Sequence, residues 1–288
     1  MLNWKEVLDW KFADVEQSYT ERDAILYALG LGFGQDPTDE HDLRYVHEAH
    51  ETGLQVVPSL AVVLGGPGAW MRDGRTGIDW VRSLHGEQGL VVHGPLPPAA
   101  RVIGRNRVTG IIDKGPGKGA LLMMERDIVN ADTGALLATR TSSSFLRGDG
   151  GCGAPAREQS RPEPVPVRAP DVVHRISTRP EAALIYRLSG DYNPVHASPA
   201  VARKAGFERP ILHGLCTFGM ACRALLATVC MNAPQRLRTM TGRFSAPVYP
   251  GETQTVEIWE EAGGRVRFRT RVEERGITAF DFGEASIA

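Results

Sequence analysis

The sequence predicts an α+β fold in which antiparallel sheet curls around one helix in each of two similar halves. Strand-like alternation recurs in segments bounded by glycine turns: Arg101–Asp113 and Ala120–Val129 early in the chain, Thr253–Trp259 and Arg265–Val272 late in it. One stretch, His213–Met231, is rich in Gly, Ala, Cys, Met and Leu, with a single central charge at Arg223, which is the composition of a helix buried on all sides. Short motifs also repeat in the same order. Asp23-Ala-Ile-Leu-Tyr-Ala-Leu-Gly aligns with Ala182-Ala-Leu-Ile-Tyr-Arg-Leu-Ser, and Gly94-Pro-Leu-Pro-Pro aligns with Ala246-Pro-Val-Tyr-Pro. Strands segregated from a buried helix argue for α+β, and the recurrence argues for duplication.

Each element has a local cause. Thr20-Glu-Arg-Asp23 forms a capping-box-like start for a helix that ends near Gly30. Arg147–Asp171 passes from a Gly-rich piece into alternating Pro162, Pro164, Pro166 and Pro170, which holds neither ladder nor helix. Residues 151–170 are therefore the expected linker between an N-terminal domain, 1–150, and a C-terminal domain, 171–288. In the second half, Ser198 before Pro199 supplies an N-cap and a first helical proline, and Gly206 can stop that short helix.

With 288 residues, 42% hydrophobic and 23% charged, the chain has the composition of a soluble globular protein with a sizeable core. Thirty-three Lys and Arg against 34 Asp and Glu leave a net charge of −1, which gives no global field for nucleic acid or an anionic membrane. Apolar runs such as Leu60–Leu64 fall far short of the ~18 residues of a spanning helix. Met1–Phe12 carries charge where a signal peptide is apolar, and the chain closes Ala-Ser-Ile-Ala without a Ser-Lys-Leu address. The cytoplasm is the expected compartment. Cys152, Cys216, Cys222 and Cys230 are too few for a disulfide framework and form no Cys-x-x-Cys pair, and the 216–230 trio, in an Ala- and Gly-rich helical stretch, is expected as core thiols and not as metal ligands.

The segment Gly190-Asp191-Tyr192-Asn193-Pro194-Val195-His196 carries the chemistry. Pro194 pushes Asn193 out of helical conformation, so Asp191 and His196 lie on an irregular turn where their side chains can converge. A carboxylate beside an imidazole can orient and deprotonate one water near neutral pH. The same residues also suit a structural turn, with Asp191 and Asn193 capping backbone and His196 meeting a loop carbonyl; spacing alone leaves both readings open. The next segment, Arg209-Pro-Ile-Leu-His-Gly214, places a glycine where the buried helix begins. Unpaired N–H groups and the positive end of the helix dipole make such a start an oxyanion site, although Gly214 can equally serve close packing.

Tyr186-Arg-Leu-Ser-Gly-Asp-Tyr-Asn-Pro-Val-His196 and Pro210-Ile-Leu-His-Gly-Leu-Cys-Thr-Phe-Gly219 resemble the signature of the 2-enoyl-CoA hydratase 2, or MaoC-like dehydratase, family. Leu84–Gln88, Asp113–Gly115, Ser144–Gly148 and Arg243–Gly251 resemble landmarks of its two-domain, eukaryote-type members. Ser198 stands where many members carry Asp, and both residues cap helices. The resemblance implies a double hot-dog fold, two antiparallel sheets each wrapped around a central helix. It implies that Asp191 and His196 hold the catalytic water, that Asn193 supports them and that Gly214 binds the thioester oxygen. It also implies that His85, Gly86, Lys114 and Phe244 line the acyl-CoA site. Read by themselves, Lys114 could be a solvated loop charge, Phe244 a core residue and His85-Gly86 a turn. The implied reaction is reversible (R)-specific hydration of trans-2-enoyl-CoA to 3-hydroxyacyl-CoA in fatty acid metabolism and β-oxidation, by a homodimer with no metal and no cofactor beyond the CoA of its substrate. The first-half segment matching the catalytic turn, Gly30-Leu-Gly-Phe-Gly-Gln-Asp-Pro, lacks both the Asp and the His. One active site per chain is expected, with the first half holding the acyl tail. The alternatives are a hot-dog acyl-CoA thioesterase, not known by an Asp-x-Asn-Pro-x-His turn, and a non-catalytic acyl-CoA or acyl-carrier binding module, whose mark would be loss of the acid/base pair.

Overall fold

The computed structural model describes residues 1–155 and 162–288. Ten strands follow one another as β1 (Val15–Tyr19), β2 (Ser83–Val92), β3 (Ala100–Asp113), β4 (Ala120–Asn130), β5 (Leu136–Leu146), β6 (Val172–Ser177), β7 (Leu237–Phe244), β8 (Thr253–Glu260), β9 (Arg265–Val272) and β10 (Ile277–Ile287). They lie in the order β1-β3-β4-β5-β2-β7-β10-β9-β8-β6. Read outward from the middle, each half has the same topology: β2-β5-β4-β3-β1 on one side and β7-β10-β9-β8-β6 on the other. All the strands expected from alternation are present within a residue of their predicted ends. The α+β double hot-dog arrangement is formed, but its two sheets are fused edge to edge. Strands β2 and β7 pair antiparallel from Glu87↔Arg243 to Val91↔Thr239, and Arg243 donates to Glu87 Oε1 at 2.7 and 3.0 Å across the seam.

The helices are α1 (Trp4–Leu8), α2 (Glu21–Gly30), α3 (Glu40–Leu43), α4 (Ala182–Tyr186), α5 (Pro199–Lys204) and α6 (Gly214–Ala227). Helix α2 starts as its capping box predicts, the Thr20 N–H donating to Asp23 Oδ2 at 2.8 Å. Helix α5 is capped by Ser198 and followed by Gly206 at φ +90°. Helix α6 is the buried central helix of the second half, shorter at its end than the composition suggested. Thr228 turns its hydroxyl back on the Ala224 carbonyl at 2.7 Å, and Met231 and Asn232 adopt left-handed backbone. Its one charge, Arg223, is matched by buried Asp42 at 2.8 Å. Cys216 and Cys222 on α6, and Cys230 beyond it, are buried free thiols.

The first half has no counterpart of equal length. Before β2, a buried 3-10 turn, Pro58–Val63, takes that place. The chain leaves it at Gly65, where a Cβ would stand 2.6 Å from the Cα of Gly104, so the backbone crosses β3 too closely for any side chain. One core runs through both halves, from Tyr27, Leu60, Leu90 and Ile128 to Phe218, Met240, Phe268 and Phe280. Tyr27 packs on its repeat partner Tyr186 with ring centroids 5.7 Å apart.

The described parts of the expected linker are tied down. Gly151 and Gly153 donate to Asp113, and Glu163 pairs with Arg265 and Arg267; its residues 156–161 lie outside the described residues. Among the described residues no helix is long and apolar enough to cross a membrane.

Candidate active site

The chain from α4 to α6 folds back on itself, so that the two sequence-predicted segments meet. After α4 the backbone turns at Gly190, φ +115°. The Asp191 carboxylate accepts the Asn193 N–H at 3.0 Å and the Asn193 side-chain oxygen accepts the Val195 N–H at 3.2 Å. These bonds are the capping role that spacing allowed, and they hold the Pro194–His196 turn in shape. They leave the Asn193 amide nitrogen and the second Asp191 carboxylate oxygen unbonded among the described residues.

His196 is buried, and its Nδ1 lies 2.8 Å from the Ile211 carbonyl. A carbonyl only accepts, so Nδ1 carries the proton and Nε2 keeps its lone pair. His213, 1% exposed, stacks on the His196 ring at 3.7 Å and donates through Nε2 to the Asp191 carbonyl oxygen at 3.1 Å. Its Nδ1 is a buried acceptor with no partner among the described residues. Sequence reasoning missed His213; the signal was its position just before the glycine that opens α6. Burial holds the His196 imidazolium below its usual range, only partly opposed by the Ile211 carbonyl and Asp191. Burial and neighbouring His196 bring His213 down to about 4. Both rings are neutral at neutral pH, and reactive atoms of Asp191, His196 and His213 lie within 4.8 Å of one another, close enough to share one water or one cation.

Helix α6 begins beside them. Its first bonded amides, Cys216 and Thr217, both donate to the His213 carbonyl. The Gly214 and Leu215 N–H groups have no acceptor among the described residues, as the first turn of any helix requires. A Cβ on Gly214 would stand 3.2 Å from the Phe244 ring, and Phe244 packs on His85 with centroids 4.7 Å apart. Phe244 and His85 thus form the wall facing the helix start. Burial and the Arg140 guanidinium push His85 down to about 3, despite its bond to the Glu87 carbonyl. Gly86 occupies the β-bulge between His85 and Glu87, where a Cβ would meet Ser143 at 2.9 Å; it shapes the wall and offers no side chain to it.

Lys114 lies on the exposed turn after β3, at the same end of the sheet as His85, with β4 and β5 between their strands. A separate cavity of about 250 Å³, lined by Leu54, Val56, Pro58, Val92, Leu96 and Arg238, contains none of these residues. Val92 is seven residues along β2 from His85, roughly 23 Å.

Residues 161–280 match the MaoC-like domain model, and residues 17–148 match the MFE-2 hydratase 2 N-terminal domain model. The chain is similar to the peroxisomal enoyl-CoA hydratase 2 of Arabidopsis thaliana, 39% identical over 287 residues and covering 94% of this chain and 91% of that protein. It is also similar to 3-hydroxyacyl-thioester dehydratase Y of Mycobacterium tuberculosis, 40% identical over 257 residues and covering 88% and 86%. Its fold matches the crystal structure of a MaoC-like dehydratase from Phytophthora capsici, with a TM-score of 0.86, 33% identity and coverage of 99% and 98%. The plant relative's name places that protein in the peroxisome, a different compartment from the cytoplasm expected of this chain. Two family models in tandem and relatives matched along nearly their whole length lead to one conclusion: the chain belongs to the MaoC-like dehydratase family, in its two-domain hydratase 2 branch, and is a hydro-lyase.

Proposed function

We propose that the protein adds water to trans-2-enoyl-CoA thioesters to give (3R)-3-hydroxyacyl-CoA, and catalyses the reverse dehydration, with Asp191 and His196 as its acid/base pair. One observation carries this reading: the Asp191 carboxylate lies within 4.8 Å of ring nitrogens of His196 and His213, and the residue after His213 opens α6 with its first N–H groups unengaged among the described residues. A water held between Asp191 and His196 loses its proton as its oxygen bonds to C3, the electrophilic end of the conjugated double bond. The π electrons move toward the thioester, where the Gly214 N–H and the helix dipole meet the charge growing on the carbonyl oxygen. The pair returns a proton to C2, and the C3 hydroxyl and C2 hydrogen account for one water added. Asn193, whose side-chain oxygen is already taken by the Val195 N–H, supports that water through its amide nitrogen. Every step is a proton transfer or an addition, so no metal or redox cofactor enters the scheme. The first half holds the acyl tail, since its own turn at Gly30–Pro37 lacks the acid/base pair.

The test is loss of the enoyl-thioester absorbance with crotonyl-CoA and longer enoyl-CoAs, with chiral analysis of the product. Asp191→Asn and His196→Gln are each expected to lower turnover at least about a hundredfold, the low end for a lost general acid or base, with the fold intact. Dialysis against a chelator should leave turnover unchanged. Wild-type turnover by either variant overturns the assignment, and release of free CoA thiol would show hydrolysis in its place.

A further inference from the structure

The inner face of the first half carries a charge that this scheme leaves unused. Strands β4 and β5 place Arg126 directly opposite Arg140, which on its other side opposes Leu90 of β2. Alternation assigns this row to the concave face. Ile128 and Ala138, two residues further along the same strands, are core residues, whereas Glu125 and Asp127 point outward to pair with Arg107. Like charges directly opposite each other are unfavourable, and among the described residues neither arginine has a carboxylate partner. Arg126 is satisfied, donating to the Leu64 carbonyl at 2.6 Å and Asn106 Oδ1 at 2.8 Å. Arg140 makes one bond, from Nε to Gln88 Oε1 at 3.2 Å, and its two terminal nitrogens donate to no described residue.

Arg140 is also not sealed in. It stays partly exposed, as do Met124, Ser142 and Ser144 on the same inner face. Arg140 also stands beside the wall of the candidate site: its charge acts on His85 and on buried Tyr186, and His85 packs on Phe244 against the start of α6. A cation that is deep, reachable and two-thirds unbonded is costly with an alkyl chain beside it and favourable with an anion, which its fork can bind through two charge-assisted bonds.

We propose that Arg140 receives an anionic group at the far end of the acyl chain, so that the favoured substrate is an enoyl thioester ending in a carboxylate. Ser142 and Ser144 follow Arg140 on the same face of β5 and are partly exposed, and Arg126, directly opposite Arg140, deepens the positive potential there. This inference rests on the hydratase reading, and its test separates the two.

Hydration rates are compared for CoA thioesters matched in length, trans-2-hexenoyl-CoA against 5-carboxypent-2-enoyl-CoA, and the corresponding eight-carbon pair. The wild type is expected to favour the carboxylate member of at least one pair by about tenfold or more in kcat/KM, the scale of a hydrogen bond between charged groups. Arg140→Met should remove or invert that preference, and Arg140→Lys should retain part of it. Equal or better use of both alkyl members by the wild type overturns this inference and leaves the hydratase reading standing. A fall in both members of a pair by the same factor in Arg140→Met also overturns it, by showing a structural role. Hydration of no enoyl-CoA at all overturns the hydratase reading itself. If Arg140→Met fails to fold, the wild-type preference alone decides.

Discussion

His196 and His213 show how much the proposed catalytic histidine owes to what it is packed against. The His196 tautomer is dictated by one backbone carbonyl, and its ring plane by a second histidine that grips the Asp191 backbone. Burial lowers the pKa of His196 from its ordinary 6.5, so the ring remains a free base throughout the neutral range. The pH dependence follows in sign. Turnover should be level from about pH 8 down to the ordinary histidine value near 6.5, and should fall only below it, as Nε2 takes a proton. Stability behaves the same way. His85, at about 3, and His213, at about 4, bind protons more readily unfolded than folded. Their contribution is therefore fully present above about 6.5 and is lost as pH falls toward the folded values. Measuring kcat and melting temperature on the same samples from pH 5 to 8 separates loss of the base from loss of the fold; an acid limb centred above 6.5 would contradict a buried, neutral His196. Asp191 and His196 were legible as a pair because proline punctuates their turn. His213 was not, because nothing in a sequence says that one imidazole will stack on another.

At the scale of elements, α6 joins packing to chemistry. Its apolar composition announced burial, and Gly214 announced its start. What α6 faces was decided by β7, which brings Phe244 to within 3.2 Å of a hypothetical Gly214 Cβ. Gly214→Ala separates the two roles of that glycine. The added methyl enters the space between the helix start and Phe244, where the proposed scheme puts the thioester. Turnover is expected to drop roughly tenfold to a thousandfold, the scale of a lost oxyanion donor, with a smaller effect on melting temperature. A destabilised variant with normal turnover would reduce Gly214 to a packing residue, since overpacking by itself costs typically 1–3 kcal/mol of stability. The early end of α6 and the short Pro58–Val63 turn that stands in for a first-half helix were not legible. The first depends on one Thr228 hydroxyl choosing its own backbone, and the second on a close crossing at Gly104 more than forty residues further along the chain in sequence.

For the whole molecule, the seam decides the behaviour. Strands β2 and β7 join the halves into one sheet, α2 packs on α4, and a single core crosses between them. Cutting the chain exposes two long strand edges and half of that core. Residues 1–150 expressed alone are therefore expected to be inactive, and residues 165–288 alone to be insoluble or to handle long enoyl-CoAs poorly. Sedimentation and turnover on a long-chain substrate check this, and robust long-chain turnover by the second half alone would remove the acyl-holding role from the first.

The sequence by itself determined four of the ten strands, the two capped helices, the duplicated order and the proline-broken turn at Asp191–His196, because alternation, capping residues and proline act over a few neighbouring residues. Only the tertiary structure decided the fusion of two sheets into one, the place of His213, the two strands that stand between those of Lys114 and His85 and the placing of Arg126 opposite Arg140. Each of these depends on strand register and close approach between segments far apart in the chain, and a local pattern carries no record of which distant residue will stand opposite.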